Sequence, residues 1–258
     1  MASADFTAIT LLVTHYNRSQ SLERLLKSFN DQQISFGDIV VSDDGSKPEH
    51  LERLKQAEKQ FGFRLITTPK NAGLGNNINK GQDAVKTAYT LYVQEDFDPF
   101  PGYKEHLQDA LDIMEDRHDI DLVRFYAYFK YPYLKPFRKG FSEMIFKIWY
   151  PGYRKFHVYS DHPHLRRTTF FEKFGRYREG IKGDKTEFSM ALSFLKHHGK
   201  AMIYEDVKGV FDQVNSADEP STMKRSDLRQ SNNPLISLAR AIYRNVKHTW
   251  ELVFYKNA

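Results

Sequence analysis

The stretch Glu95-Asp96-Phe97-Asp98 puts three carboxylates within four residues, directly after the apolar run Thr90 to Val93 and before Pro99-Phe100-Pro101. Carboxylates this close repel one another, so the cluster is costly unless water solvates it or a cation neutralises it. An oxygen-only donor set suits Mg²⁺ or Mn²⁺, which commonly joins one or two carboxylates to the phosphates of a substrate. An acidic loop ended by proline accounts for the same residues without a ligand. Two further polar stretches carry chemistry: Thr14-His15-Tyr16-Asn17 and Ser42-Asp43-Asp44-Gly45-Ser46. Their hydroxyls and carboxylates can exchange hydrogen bonds with a nucleobase and ribose, and the Tyr16 ring can stack on a base. Turn and capping chemistry explains Asp43, Asp44, Gly45 and Ser46 equally well.

The elements that hold these stretches follow from periodicity. Ala8 to Thr14 is an apolar, β-branched run of strand length; Leu22, Leu25, Leu26 and Phe29 recur at helical spacing; Asp38 to Ser42 is a second buried strand. The alternation continues with a helix through Leu51, Leu54 and Ala57, a strand at 64–67, a glycine-rich turn into a helix at 75–87, and a strand at 90–94. A helix at 103–114 and a strand at 122–126 follow. This pattern predicts an α/β fold with a mostly parallel central sheet and helices on both faces, which binds ligands beyond the carboxyl ends of its strands. All three polar stretches lie at such ends.

Between Phe125 and Phe156 the alternation stops. Thirteen aromatic residues and seven Lys/Arg stand there against one acid, Glu143, a composition unlike a compact core element. Regular structure returns with a helix at 185–198 and a strand at 201–204. A polar connection at 215–233 leads to an amphipathic helix from Pro234, where Leu235, Leu238, Ile242, Val246 and Val253 fall near one face. Aromatics interleaved with Lys/Arg suit sugar stacking, the headgroup level of a bilayer, or unpaired bases. With no nucleic-acid recognition module in the chain, nucleic acid is the least expected of these partners.

The 258 residues suffice for one α/β domain with a C-terminal extension. Absence of cysteine excludes disulfides, thiolate metal sites and a cysteine nucleophile. No basic-then-apolar leader opens the sequence and no run of about 18 apolar residues occurs, which predicts neither secretion by a standard signal nor a membrane span. From Arg124 onward there are 25 Lys/Arg against 13 Asp/Glu, a balance of +12, whereas the preceding part carries −7. A basic second half implies a surface or cleft for anions: nucleic acid, acidic lipid or a diphosphate.

Together the turns resemble those of family 2 glycosyltransferases of the GT-A fold. The resemblance covers residues 7 to about 105, through Thr14, Tyr16 and Asn17; the Asp-Asp-Gly-Ser turn at Asp43 to Ser46; Asn71, Gly73, Gly75, Asn79 and Gly81; and the acidic turn at Glu95 and Asp96. It implies that Thr14, Tyr16, Asn17, Asp43, Asp44, Asn71, Gly73, Gly75 and Glu95 bind the nucleotide sugar, and that a Mn²⁺ or Mg²⁺ held by Asp96 and Asp98 bridges the diphosphate. The adjacent acidic pair here is Glu95-Asp96, while the spaced pair is Asp96-Phe97-Asp98. Asp96 belongs to both and is the first choice as ligand. Gly73-Leu74-Gly75 lacks the third glycine of a dinucleotide fingerprint and follows the third strand, which disfavours a dehydrogenase.

In that family an acidic pair, often Glu-Asp, opens a helix some dozen residues before a glycine and supplies the catalytic base. The corresponding Gly183-Asp184-Lys185-Thr186-Glu187-Phe188 lacks the pair, leaving Glu187 as the base candidate and Asp184 as the second. Capping of the helix by Asp184, with Glu187 complementing its dipole, is the alternative. The resemblance thus predicts a GT-A domain over 1–215, with a nucleotide-sugar half at 7–105 and an acceptor-side half at 106–215, and an extension at 216–258. The expected activity is inverting, metal-assisted transfer from a nucleotide sugar, a UDP-sugar foremost, to a glycan or lipid-linked acceptor. The expected location is the cytoplasm, with peripheral contact to the inner face of the cell membrane through 125–156 and 234–254. The rival readings are a non-catalytic nucleotide-sugar- or membrane-binding module and a sugar-phosphate nucleotidyltransferase.

Overall fold

A computed structural model describes residues 4–214, 219 and 234–255. The first half alternates as expected: β1 (Ala4–His15), α1 (Ser19–Asp31), β2 (Ile34–Asp43), α2 (Pro48–Phe61), β3 (Arg64–Ile66), α3 (Leu74–Asp83) and β4 (Tyr89–Gln94). Then come β5 (Phe97–Pro99), α4 (Tyr103–Asp116), β6 (Leu122–Arg124), β7 (Leu134–Arg138), β8 (Phe141–Met144), a 3₁₀ turn (Tyr153–Phe156), β9 (His164–Arg167) and α5 (Phe170–Phe174). The remainder is α6 (Gly183–Lys196), β10 (Ala201–Tyr204), β11 (Phe211–Gln213) and α7 (Pro234–Val253).

Nine strands form one sheet in the order β3-β2-β1-β4-β9-β6-β10-β8-β7, and β5 pairs with β11 in a small separate sheet. The run β3-β2-β1-β4 is parallel, as is β6-β10, but β9 lies antiparallel between β4 and β6. The helical spacing read in α1 is the buried stripe: Leu22, Leu25, Leu26 and Phe29 sit in the core, each contributing about 1.5–3 kcal/mol of apolar burial.

The aromatic segment differs from the expectation. Phe125, Tyr126, Tyr131, Phe141 and Phe156 are core residues, and β7 and β8 extend the sheet. Tyrosine hydroxyls make this workable: Tyr131 donates to the carbonyls of Lys155 at 2.9 Å and Ile145 at 3.2 Å, so its ring is buried while its polar end is satisfied. Of the proposed extension, 216–218, 220–233 and 256–258 lie outside the described residues, as does the boundary at 215.

One glycine of the α3 turn has a steric reason. A Cβ built on Gly75 would stand 2.3 Å from the carbonyl oxygen of Arg178, where the segment before α6 crosses the start of α3. Backbone cannot yield as a flexible side chain does. Gly75→Ala is therefore expected to cost about 1–3 kcal/mol, seen as a lower unfolding midpoint in denaturant; an unchanged midpoint would show that this crossing is loose.

Candidate active site

The sheet register brings the three turns to one edge. Thr14 pairs with Ser42 on one side and Gln94 on the other, and His15 pairs with Asp43, so β1, β2 and β4 end side by side. The turns that follow them share the crevice where open α/β sheets bind ligands.

Hydrogen bonds lock the first two turns together. His15 Nδ1 donates to Asp43 Oδ1 at 2.8 Å while its Nε2 accepts the Arg18 backbone N–H at 3.1 Å, which assigns the proton to Nδ1. Asp43 also accepts from Ser46 Oγ at 2.5 Å and the Ser46 N–H at 3.0 Å. Burial pushes its pKa up, but the His15 and Ser46 bonds outweigh burial and leave it lowered. Asn17, with φ 54°, donates its N–H to Ser46 Oγ and accepts the Lys47 N–H, both at 2.8 Å. Asp44 accepts the N–H groups of Ala72 at 2.8 Å and Gly73 at 2.9 Å and so shapes the Asn71–Gly73 loop. Burial raises its pKa, against those N–H groups and Lys80.

These contacts divide the residues expected at the nucleotide. Thr14 is buried with Oγ1 on the Tyr92 hydroxyl at 3.0 Å, and both oxygens of Asp43 serve protein donors. Tyr16 is half-buried and Asn71 exposed at the turn rims. Gly73, at φ 91°, opens α3 in a conformation natural to glycine.

At the acidic turn, Asp96 Oδ2 receives Gln213 Nε2 at 3.0 Å and Arg18 Nη1 at 3.1 Å. The same Nη1 lies 3.7 Å from Glu95 Oε1, and Arg18 Nη2 donates to the Glu219 carbonyl at 3.1 Å. Asp98 Oδ2 accepts Arg24 Nε at 2.5 Å. The other oxygens, Oδ1 of Asp96 and Oδ1 of Asp98, are buried without a hydrogen-bond partner. Burial and the neighbouring Asp96 push Glu95 up to about 8, with Arg18 opposing.

Two orphaned carboxylate oxygens, two residues apart, fit a divalent cation that completes its shell with substrate phosphates and water. No group of three or more His, Asp or Glu side chains able to hold a metal occurs among the described residues. The fit is to an ion shared with a ligand, not to an all-protein cage. Arg18 and Gln213 are the participants that sequence reasoning left out. Gln213 lies 117 residues from Asp96, and Arg18 merely follows the Thr14–Asn17 turn, so no local motif marks either position.

Glu187 lies one turn into α6, and its Oε1 accepts the Asp161 backbone N–H at 3.0 Å. Burial raises its pKa, reinforced by Asp184 and opposed by that N–H and by Arg124. Asp161, buried just before β9, is raised by burial and by Glu187; it accepts the Tyr159 hydroxyl at 2.7 Å, and its Oδ2 has no partner. Asp184 sits half-buried in the first turn of α6. Glu187, Arg124, Tyr128, Tyr131, His157 and His162 help line a cavity of about 130 Å³. From its wall the Tyr128 hydroxyl donates to Gln213 Oε1 at 2.8 Å, and Gln213 in turn holds Asp96. The structure thus links the acidic turn to the cavity of Glu187 through Gln213 and Tyr128.

The histidines around this cavity are held neutral. Burial lowers His157 to about 4, and His162 and His164 well below the usual histidine value, with Arg124 adding to the effect on each. The unfolded chain takes up protons near pH 6.5, whereas the folded chain does so well below that, at about 4 for His157, so stability is full above 6.5 and falls as pH drops below it. Thermal midpoints are expected to decline from pH 6.5 to 4, less steeply in His157→Gln. Parallel curves for the two proteins would contradict this assignment.

Residues 10–176 match the sequence model described as Glycosyl transferase family 2. The chain belongs to this family. The match takes in the three strand-end turns and stops short of α6, so it does not bear on Glu187. The cholesterol galactosyltransferase of Borreliella burgdorferi is 24% identical over 153 residues, spanning 55% of this chain and 42% of that protein. The chain therefore spans less than half the length of that curated relative. Among solved structures, S. aureus TarS 1-349 in complex with UDP-GlcNAc superposes with a TM-score of 0.62 at 15% identity, covering 97% of this chain and 67% of that one. The mannosyltransferase PcManGT of Pyrobaculum calidifontis, in complex with GDP-Man and Mn²⁺, gives 0.57 at 14% identity, covering 96% and 70%. At such identities the likeness is one of fold, and that fold is GT-A.

Proposed function

We propose that the chain is a glycosyltransferase that moves a sugar from a nucleoside diphosphate sugar, a UDP-sugar in our reading, to a hydroxyl of a glycan or lipid-linked acceptor, with inversion. The observation that carries this is the pair of partnerless carboxylate oxygens on Asp96, just past the end of β4, and Asp98, in β5, with Asp96 joined through Gln213 and Tyr128 to the cavity of Glu187. The fold neighbours with bound UDP-GlcNAc or GDP-Man and Mn²⁺ support the donor class and the ion.

Asp44 and the loop it shapes, with Tyr16, would cradle the nucleoside. Asp96 and Asp98 would hold Mn²⁺ or Mg²⁺, which when bound supplies positive charge against the leaving diphosphate. Arg18 adds a second positive group at the same carboxylate. The acceptor oxygen bonds to the anomeric carbon as the bond from that carbon to the diphosphate oxygen breaks. Its proton passes to Glu187, and the electron pair of the broken bond leaves on the nucleoside diphosphate. A raised pKa makes Glu187 a stronger proton acceptor than an ordinary glutamate.

We further propose residues 1–215 as the catalytic domain and 216–258 as its extension, working at the inner face of a membrane. The deciding experiment is nucleotide release from a panel of UDP- and GDP-sugars with Mn²⁺ and a hydroxyl acceptor series. Turnover of at least one donor is expected. Donor binding without release across the panel would favour the non-catalytic module, for which the missing Glu-Asp pair at Glu187-Phe188 is the supporting observation.

A further inference from the structure

α7 is held to the body by one side. Leu252 is buried, the His248 ring lies 4.2 Å from that of Phe188 and 5.7 Å from that of Phe156, and Arg244 stands over the Tyr153 ring. The other side carries Leu238, Ile242, Tyr243, Val246, Trp250 and Val253, each between 50% and 65% exposed. At about 100° per residue these six fall within an arc of about 140°. Large apolar side chains gathered on one exposed face mark a surface made to be covered.

We infer that this face of α7 lies in the plane of an anionic lipid bilayer. Charge favours lipid. Arg240 and Lys247 lie along the Tyr243 edge of the apolar arc, Arg244 is beyond them, and Glu251 is the sole acid of α7, already engaged with Lys247 at 3.7 Å and His248 at 3.1 Å. A basic flank beside a face of Leu, Ile, Val, Tyr and Trp is the composition of an interfacial helix. No helix among the described residues is long and apolar enough to cross a membrane, so α7 can lie on a bilayer but not span it. The loop before the 3₁₀ turn adds Trp149, 74% exposed, with Lys147 over its ring. This narrows the membrane-facing part of 125–156, where five of the thirteen aromatics, Phe125, Tyr126, Tyr131, Phe141 and Phe156, belong to the core. The inference stands whether or not the proposed transfer reaction does.

The chain has two tryptophans, Trp149 and Trp250, so Trp149→Phe leaves Trp250 as the only indole. That variant is mixed with phosphatidylcholine vesicles, with and without phosphatidylglycerol. Co-sedimentation with the anionic vesicles is expected, with a blue shift of Trp250 emission and quenching by acyl-brominated lipid. Binding weakens in high salt and on neutral vesicles. Adding Ile242→Glu and Val246→Glu, both at exposed positions, is expected to lower partitioning about tenfold or more while circular dichroism stays unchanged. Protein left in the supernatant of anionic vesicles, or bound with Trp250 unquenched, would overturn the inference. So would a dimer in light scattering that those two substitutions dissolve and vesicles leave intact, since a second copy would then be the occupant.

Discussion

Replacing Asp96 with alanine is expected to lower kcat/KM for the nucleotide sugar about a thousandfold, or about 4 kcal/mol. The substitution removes the oxygen that has no protein partner, to which the proposed mechanism gives the cation that meets the charge of the departing diphosphate. It also strips Arg18 of a carboxylate 3.1 Å away and Gln213 of its acceptor. An electron paramagnetic resonance titration of Mn²⁺ with UDP present is expected to lose the bound signal, which separates loss of the ion from loss of the fold. Asp98→Ala should be milder, because Arg24 already neutralises one of its oxygens at 2.5 Å. Asp96→Ala turnover within tenfold of wild type would remove the acidic turn from the donor site.

Glu187→Gln is expected to reduce kcat by 10² to 10⁴ with little change in the donor KM, since proton transfer is a transition-state task. The amide keeps the size of the side chain and its acceptor for the Asp161 N–H, so stability should hold. The acid limb of the pH–rate profile reports the base in its ionised form, and in the variant that limb should flatten. A loss under threefold would place the base elsewhere. Asp161 would then be the first alternative, buried beside Glu187 with one oxygen unpartnered, and Asp184→Asn would test the second.

The strands of the first half and the turns at their ends were legible in the sequence because they are built locally. Each strand of the first half is an apolar run, each turn follows its strand within a few residues, and the helical stripe of α1 appears as Leu22, Leu25, Leu26 and Phe29. What was illegible depends on distant pairing. Nothing near residue 96 announces that Gln213 will reach Asp96, because the two meet only through the β5–β11 pairing of Phe97 with Gln213. Likewise β9 is four residues long and joins neighbours more than 35 and 70 residues away, so no local period reveals it. Asp43 and Asp44 are adjacent and chemically identical in sequence. Only the fold shows that the first is tied to His15 and Ser46 and the second to the loop at Ala72 and Gly73.

The position of β9 also bears on how the molecule is made. β4 and β6 are both synthesised well before it, and until His164–Arg167 arrives each presents an open row of backbone donors and acceptors. A nascent chain halted near residue 160 would hold the three strand-end turns with two sticky margins and no Glu187. Such an intermediate, with strand edges open and unpaired, is exposed to self-association during translation. Expression should therefore be more sensitive to changes that weaken β9 than to comparable changes at the outer strand β3, even where the finished protein tolerates both.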